Sequence, residues 1–384
     1  MIFILKQYDF ELLTFDLCQD GLDGFACSIL SVNEENRKLL PVGMSVDGEG
    51  VLAWLRSRII PRNREYVDKI LSVYGLSHNN LLGIIKLSLG LSLNDSYWCV
   101  PEGFTGRFSE FNLYENPFNK ALALIAYTGF GSVRPSGFSS SPEFTTNGNL
   151  RKGWRKVNGQ ILLYKGGSSG AANTGNEPYS EYYAAQVASA MSAKHVPYNL
   201  AKWKGVLCST CPLFTDIDHS FVSAHRFFPK LKLTEIAAEL KKMGDTFYQP
   251  FCDMIVFDAL VCNTDRHLGN FGLMIDNRRN KPVAFAPLFD NGMALFPFAM
   301  RDDFDDLNRY AASRLSAYDV PFSELVSAFM TNRQRKALRK LADFRFERHR
   351  YYNLPAWRLK KLEVFIRDKT HELQSLSERT NRHI

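Results

Sequence analysis

No run of apolar residues in this chain approaches the roughly 18 needed to cross a bilayer, so no transmembrane helix is expected. Met1-Ile-Phe-Ile-Leu-Lys6 is too short for the apolar core of a secretory signal, and Asp9 and Glu11 follow at once, so no leader is expected either. Cysteine occurs seven times, an odd count without framework spacing, which argues against a disulfide scaffold and for a reducing cytoplasm. The C-x-x-C at Cys208-Ser-Thr-Cys211 has no second pair at zinc-finger spacing and reads as part of a strand rather than as a metal or redox site. There is no internal repeat. Charge of one sign is not in large excess: a net +7 accommodates anionic ligands such as nucleotides without marking a nucleic-acid binder.

With 384 residues the chain can bury a substantial core, as one large two-lobed domain or as two to three smaller units. Residues 1 to about 45 alternate in short bursts separated by turn residues, the pattern of a small antiparallel sheet. Asp47-Gly-Glu-Gly opens a helical region with Val51, Leu52, Leu55 and Ile59 on one stripe. Val67, Ile70, Leu71 and Tyr74 form a second stripe closed by Gly75, and Leu81 to Leu91 suggests a third helix. Nothing in this part carries a chemical signature. Asn119 to Tyr127 predicts a helix, followed by a Gly/Ser-rich link, Gly129 to Pro142.

Two segments flanking Asn158-Gly159 predict a hairpin whose second strand ends at Lys165, ahead of the Gly-rich Gly166 to Gly175. Ser180 reads as the N-cap of an Ala-rich helix over Glu181 to Ser192. Val196 to Leu200 and Val206 to Thr210 predict another hairpin. Thereafter the chain is mostly helical, with Thr234 read as capping Glu235 to Met243, and Phe251 to Cys262 read as a buried helix. Ser323 to Met330, Asn332 to Phe346 and Trp357 to Ser375 are amphipathic. Arg301 to Asp306 is an acid cluster that reads as a solvated turn. Arg333 to Arg350 is rich in Arg and Lys interleaved with aromatics; we read it as a solvated basic face and expect no direct DNA contact.

The stretch that carries chemistry is Asn263-Thr264-Asp265-Arg266-His267-Leu268-Gly269-Asn270, with Phe289-Asp290-Asn291-Gly292 downstream. Polar groups at the end of an apolar helix are tolerated where they form a site or a hydrogen-bonded turn. Phe271 to Ile275 and Val283 to Ala286 predict a hairpin turning near Arg278 and Arg279, and antiparallel pairing makes Asn270 and Asp290 neighbours. A carboxylate beside an amide oxygen suits a hard cation such as Mg²⁺. Asp265, on the same loop, suits a group that orients an attacking hydroxyl.

Asp-Arg-His-x-x-Asn, a hairpin and then an Asp resembles the catalytic and metal-binding loops of the protein-kinase-like superfamily, and the whole pattern is most similar to HipA-type serine/threonine kinases. The resemblance covers roughly residues 140 to 295. It implies an α+β, two-lobed protein-kinase-like fold with a β-rich amino-terminal lobe, a helical carboxy-terminal lobe and a sheet-plus-helix extension before them. The corresponding boundaries are 1–118 for the extension, 119–215 for the first lobe and 216–384 for the second, with the hinge near Cys211 to Asp216. It further implies ATP and Mg²⁺ as cofactors. By the same resemblance Asp265 orients the attacking hydroxyl or accepts its proton, Asn270 and Asp290 are the metal ligands, and Lys165 grips the phosphates. Thr145-x-x-Gly148-x-x-x-Lys152 resembles the family's phosphate loop, with threonine where the family has serine; it is not a Walker motif. Glu181 is placed as the partner of Lys165, with Glu177 behind it, and His267 joins the nucleotide-binding set by bracing the loop. Arg266 braces likewise or receives a phosphate. The family acts on protein hydroxyls, including those of translation factors, beside a small helix-turn-helix antitoxin. Two other readings stay open: a catalytically idle nucleotide-binding module that works through protein contacts, and a small-molecule or lipid kinase.

Overall fold

The computed structural model describes residues 1–21, 24–132 and 141–376. The chain divides into two compact units. One comprises Met1–Lys165, Pro212–Val222 and Met274–Val283, the other Gly166–Cys211, Ser223–Leu273 and Ala284–Ile384.

The first unit opens with β1 (Ile2–Gln7), β2 (Phe10–Asp20) and β3 (Gly24–Val32), then α1 (Gly48–Arg56), α2 (Val67–Ser72) and α3 (Leu81–Ser88). β4 (Tyr97–Pro101), α4 (Phe108–Phe111), α5 (Lys120–Thr128), β5 (Lys152–Val157) and β6 (Gln160–Gly166) follow. The predicted antiparallel sheet is present, in the order β3-β2-β1-β4. β4 escaped the sequence reading because Tyr97 to Val100 are all buried, so no polar–apolar alternation marks it. Phe3, Leu5, Leu13, Phe15 and Leu17 of the sheet bury against Val51, Leu52 and Leu55 of α1 and Ile84 and Ile85 of α3. Asp47 caps α1 by accepting the Gly50 N–H at 2.7 Å. α2 is shorter than its stripe suggests: it ends at Ser72, and Gly75, at φ +65°, lies in the turn beyond. α5 is bounded by the Asn119 side chain and by Gly129 at φ +76°. The β5–β6 hairpin turns on Asn158 and Gly159, both at positive φ, with Val157 opposite Gln160. Residues 133–140 of the Gly/Ser-rich link lie outside the described residues.

β9 (His219–Ser223), β10 (Gly272–Asp276) and β11 (Lys281–Phe285) lie mostly in the first unit, and the chain passes from one unit to the other within β6, β8 (Val206–Pro212), β9, β10 and β11. The second unit carries α6 (Glu177–Ala190), β7 (Asn199–Trp203) and most of β8, then α7 (Ala224–Phe227), α8 (Leu233–Met243) and α9 (Asp245–Val261). In this unit α10 (Leu307–Ala312), α11 (Phe322–Phe329), α12 (Asn332–Leu338) and α13 (Ala356–Ser375) follow. α9 is the centre of this unit: every residue from Phe251 to Val261 is buried, and α6, α8, α11, α12 and α13 pack around it. Phe251 meets the rings of Phe271, Phe285 and Phe329.

Two helix starts differ from expectation. α6 begins at Glu177, a turn before Ser180, because Pro178 sits comfortably in a first turn that needs no N–H from it. Ser180 is therefore interior and buried, and Glu181 lies in the second turn. α8 begins at Leu233, so Thr234 is inside it rather than its cap. The β10–β11 hairpin forms as read, with Asp276 accepting the Arg278 and Arg279 N–H groups in its turn. The acid cluster is a turn: Asp303 accepts the Met300 N–H and Asp306 caps α10.

Candidate active site

α9 ends on Cys262, whose left-handed φ of +48° turns the chain out of the helix. Asn263, fully buried, makes the exit rigid. Its N–H bonds the Asp258 carbonyl at 2.9 Å, its amide nitrogen bonds the Asp258 carboxylate at 3.0 Å, and its amide oxygen accepts the Asp265 N–H at 3.2 Å. The loop then folds on itself. The Asp265 carbonyl accepts from the His267 N–H at 2.9 Å and from the Asn270 amide nitrogen at 2.8 Å, while the Asn270 N–H reaches the His267 carbonyl at 2.8 Å. Asp265 is exposed and Asn270 buried. His267 braces the turn, its Nδ1 accepting the Gly269 N–H at 3.0 Å.

Arg266 organises what surrounds this loop. It is 2% exposed, and its Nε and Nη2 hold the Asp258 carboxylate at 3.0 and 3.1 Å. Its Nη1 donates both to the Asn270 carbonyl, at 3.0 Å, and to the Phe289 carbonyl, and Nη2 also reaches the Asn291 amide oxygen at 2.6 Å. One planar guanidinium thus ties the helix, the loop carrying Asp265 and Asn270, and both neighbours of Asp290. Of the two roles foreseen for Arg266, this arrangement is the brace. Burial works against its charge, yet the Asp258 carboxylate outweighs that and holds the guanidinium above its ordinary pKa. Burial likewise pushes the Asp258 carboxyl up, with Arg266 opposing it. Tyr318 supports the same residue from outside, its hydroxyl donating to the Arg266 carbonyl at 2.7 Å.

Asp290 adopts φ +54°, a conformation that few residues other than Gly, Asn and Asp take. Its N–H donates to the Tyr198 hydroxyl at 3.1 Å, and the next N–H, of Asn291, donates to the Glu181 carboxylate at 2.7 Å. Burial pushes the Tyr198 phenol well above its ordinary value, with Glu181, Cys211 and Asp290 adding to the shift, so the ring stays neutral. Upstream, Leu288 is bridged to His195 in parallel, which sets the approach of the segment.

The Asn270 amide nitrogen is committed to the Asp265 carbonyl, so the group Asn270 would offer a cation is its amide oxygen, a hard donor of the same kind as the Asp290 carboxylate. Among the described residues no group of three or more His, Cys, Asp or Glu could hold a metal by itself. A cation at Asn270 and Asp290 would therefore complete its shell with phosphate and water, which is the habit of Mg²⁺.

The phosphate-loop residues belong to the first unit. Thr145 is buried after a 3₁₀ turn at Pro142–Phe144, with its hydroxyl 3.4 Å from the Pro142 carbonyl. Gly148 has φ +92°, and a Cβ there would lie 2.3 Å from Lys152 Nζ, which donates to the Asn147 carbonyl at 2.7 Å. Beneath the loop Arg64 and Glu143 are both buried. Arg64 bonds the Glu143 carboxylate at 3.3 Å, the Thr146 carbonyl at 3.0 Å and the Lys152 carbonyl at 2.7 Å, while Glu143 accepts the Trp154 N–H at 2.9 Å. Burial pushes the Glu143 carboxyl up to about 7 despite the opposing Arg64 charge. Lys165, half-buried, ends the hairpin paired with Lys152 across β5 and β6. Sequence reasoning placed Asn263 and Asn291 in the stretches that carry chemistry without giving them a role, and missed Asp258, Tyr198 and Tyr318 around the catalytic loop and Arg64 and Glu143 under the phosphate loop. Their common signal, a polar residue within an apolar run, was visible only for Asp258.

The fold meets a solved one along nearly its whole length. A HipA chain from the Shewanella oneidensis toxin–antitoxin complex of HipA, HipB and operator DNA superposes on 98% of this chain and 100% of its own, with a TM-score of 0.51 at 12% identity. This is a HipA-type fold. No protein-family model matches the chain. The serine/threonine-protein kinase CtkA of Helicobacter pylori is 33% identical over 144 residues, a match that spans 32% of this chain and 42% of the relative's length. A crystal structure of the H. pylori proinflammatory kinase CtkA aligns with 59% of this chain and 90% of its own at 17% identity and a TM-score of 0.44, a likeness too weak to carry weight. Among the described residues of the HipA-type fold, no helix is long and apolar enough to cross a membrane.

Proposed function

We propose that the chain is an ATP- and Mg²⁺-dependent protein serine/threonine kinase of HipA type, a cytoplasmic toxin or regulatory enzyme. One observation carries the reading: a single buried nitrogen, Arg266 Nη1, bridges the carbonyls of Asn270 and Phe289, which brings the Asp265–Asn270 loop to the segment bearing Asp290. In this reading residues 119–215 and 216–384 are the kinase lobes, with 1–118 ahead of them. The oxygen of the acceptor hydroxyl attacks the γ-phosphorus of ATP, the bond from that phosphorus to the β–γ bridging oxygen breaks, ADP leaves, and the hydroxyl proton passes to the Asp265 carboxylate. Bound at Asn270 and Asp290, Mg²⁺ supplies neutralisation of the phosphate charge. Lys165, Gly148 and Lys152 serve the phosphates, and His267 keeps the loop in shape. Such chemistry is mostly positioning and charge compensation, and a loop held by a buried guanidinium suits it. Thr145 is the site at which autophosphorylation would act, and a small helix-turn-helix antitoxin the partner that would restrain the enzyme; the substrate class is a cytoplasmic protein, translation factors included.

The test is transfer of labelled phosphate from ATP in a host lysate, wild type against Asp265→Ala and Asp290→Ala. A labelled protein band that disappears with either substitution is the expected result. Transfer undiminished in both would end the assignment, and ATP binding with no transfer to any protein, inositol lipid or sugar would favour an idle nucleotide-binding module.

A further inference from the structure

The basic, aromatic segment after α12 is not a simple solvated helix face. From Arg345 to Asn353 the backbone is irregular, yet it is held tightly on α6. Gln186 of that helix grips Glu347 twice, its amide nitrogen donating to the Glu347 carbonyl at 3.1 Å and its oxygen accepting the Glu347 N–H at 2.8 Å. Asn353 closes the loop, its oxygen accepting from the His349 N–H and from the Tyr183 hydroxyl, each at 2.8 Å, and its nitrogen donating to the His349 carbonyl at 2.6 Å. His349 Nδ1 accepts the N–H groups of Tyr351 and Tyr352 at 3.2 and 3.0 Å. Burial holds the His349 imidazole below its ordinary pKa, so the ring is a neutral plane.

The product of this bracing is a set of rings at the surface. His349 and Tyr352 lie parallel, 5.3 Å between centroids and 11° between planes, with Tyr182 edge-on to His349 at 5.7 Å and Tyr351 beside them. Tyr351 is 66% exposed, a poor return for a fold but a good one for a contact surface. Cations rim the rings: Arg350 lies over Tyr351 at 5.0 Å, Lys202 over Tyr352 at 5.5 Å, and Arg345 and Arg348 are exposed on the same loop. Glu347 is the one acid between Arg345 and Asn353.

We propose that this platform of Tyr351, Tyr352 and His349, edged by Arg345, Arg350 and Lys202, binds single-stranded nucleic acid. The cations favour a polyanion, which sets aside neutral and proline-rich peptides. The exposed Tyr351 ring, backed by the half-buried Tyr352 and His349, adds what an acidic peptide would leave unused, a face on which an unpaired base stacks while Arg and Lys meet its phosphates. A duplex keeps its bases stacked within itself and offers no such face. This inference uses none of the residues assigned to phosphoryl transfer and stands or falls apart from that reading.

Fluorescence anisotropy with labelled oligouridylate and oligothymidylate of about 15 nucleotides, close to the length one compact site engages, tests it. Tyr351→Ala is expected to weaken binding by about 5-fold or more, the loss of one stacked base, while Tyr351→Trp retains it. Arg350→Ala is expected to weaken every sequence alike and to lower the slope of log affinity against log salt by about 0.7. Equal binding of the two oligonucleotides, or a preference for the RNA, keeps the proposal and tells whether the 2′-hydroxyl is read. Absence of binding, affinity indifferent to Tyr351→Ala, or polyglutamate or duplex DNA competing as well as the single strands would overturn it. Thermal unfolding of each variant beside the wild type shows that the loop substitutions leave the fold intact.

Discussion

Arg266 is the residue whose loss should tell most. Replacing it with alanine removes donors from the Asp258 carboxylate, the Asn270 and Phe289 carbonyls and the Asn291 amide oxygen together. Asp258 is 4% exposed, so the substitution leaves a carboxylate in the core with only Asn263 beside it. Breaking a buried pair from one side costs about 3 to 5 kcal/mol, a large part of the roughly 5 to 15 kcal/mol that holds a domain together. Chemical denaturation followed by circular dichroism should therefore show a clearly lowered midpoint for Arg266→Ala. Arg266→Lys keeps the charge but not the fork, and should fall between the two. The informative comparison is the double variant Asp258→Leu with Arg266→Met, in which two apolar side chains replace the pair. Stability should largely return, since such replacements are often neutral or better. Phosphoryl transfer should not, because the guanidinium bridge from Asn270 to Phe289 and Asn291 is then gone. A double variant that recovers both stability and transfer, or an Arg266→Ala protein as stable as wild type, would refute the idea that this guanidinium gathers the site.

Tyr198→Phe removes the hydroxyl that accepts the half-buried Asp290 N–H in its left-handed turn, a loss of about 1 kcal/mol, that of one ordinary hydrogen bond; titrating Mg²⁺ at fixed ATP should show a higher requirement with a smaller change in the rate at saturation. Gly148→Ala puts a Cβ 2.3 Å from Lys152 Nζ at a backbone angle that suits glycine, so the Michaelis constant for ATP should rise; an unchanged value would show that the ammonium and this turn do not serve the nucleotide. Glu143 predicts a pH effect. Its folded pKa of about 7 lies above the ordinary carboxylate value, so the folded state keeps a proton that the unfolded chain releases. The associated stability is complete below about pH 4.3 and is lost as pH rises through about 7, on the order of 4 kcal/mol in all. Denaturation midpoints of Glu143→Gln should consequently vary less between pH 5 and 8 than those of the wild type, and parallel profiles would show that the carboxyl does not titrate there.

Local chemistry was enough to place the turns and most of the elements. Asn158-Gly159 and Lys204-Gly205 take the positive φ pairs that two-residue hairpins need, and Asp47 and Asn119 cap the helices they precede. The spacing from Asp265 through Asn270 to Asp290 was legible for the same reason, because the hairpin between them is a short-range structure. Where local signals competed, reading by pattern slipped: Ser180 and Thr234 look like caps, but Pro178 and the packing of Leu233 begin their helices earlier. What holds the loop in place was decided by distant parts of the chain. Glu181 meets the N–H of Asn291, Tyr198 that of Asp290, and Tyr318 the carbonyl of Arg266, pairings that no periodicity encodes. Asp258 is a carboxylate in an otherwise largely apolar stretch of helix, and its charged partner comes from the following loop. A sequence displays the hydrogen-bonding groups that burial will force to find partners; which partner each one finds depends on where the packed helices and strands bring remote segments together.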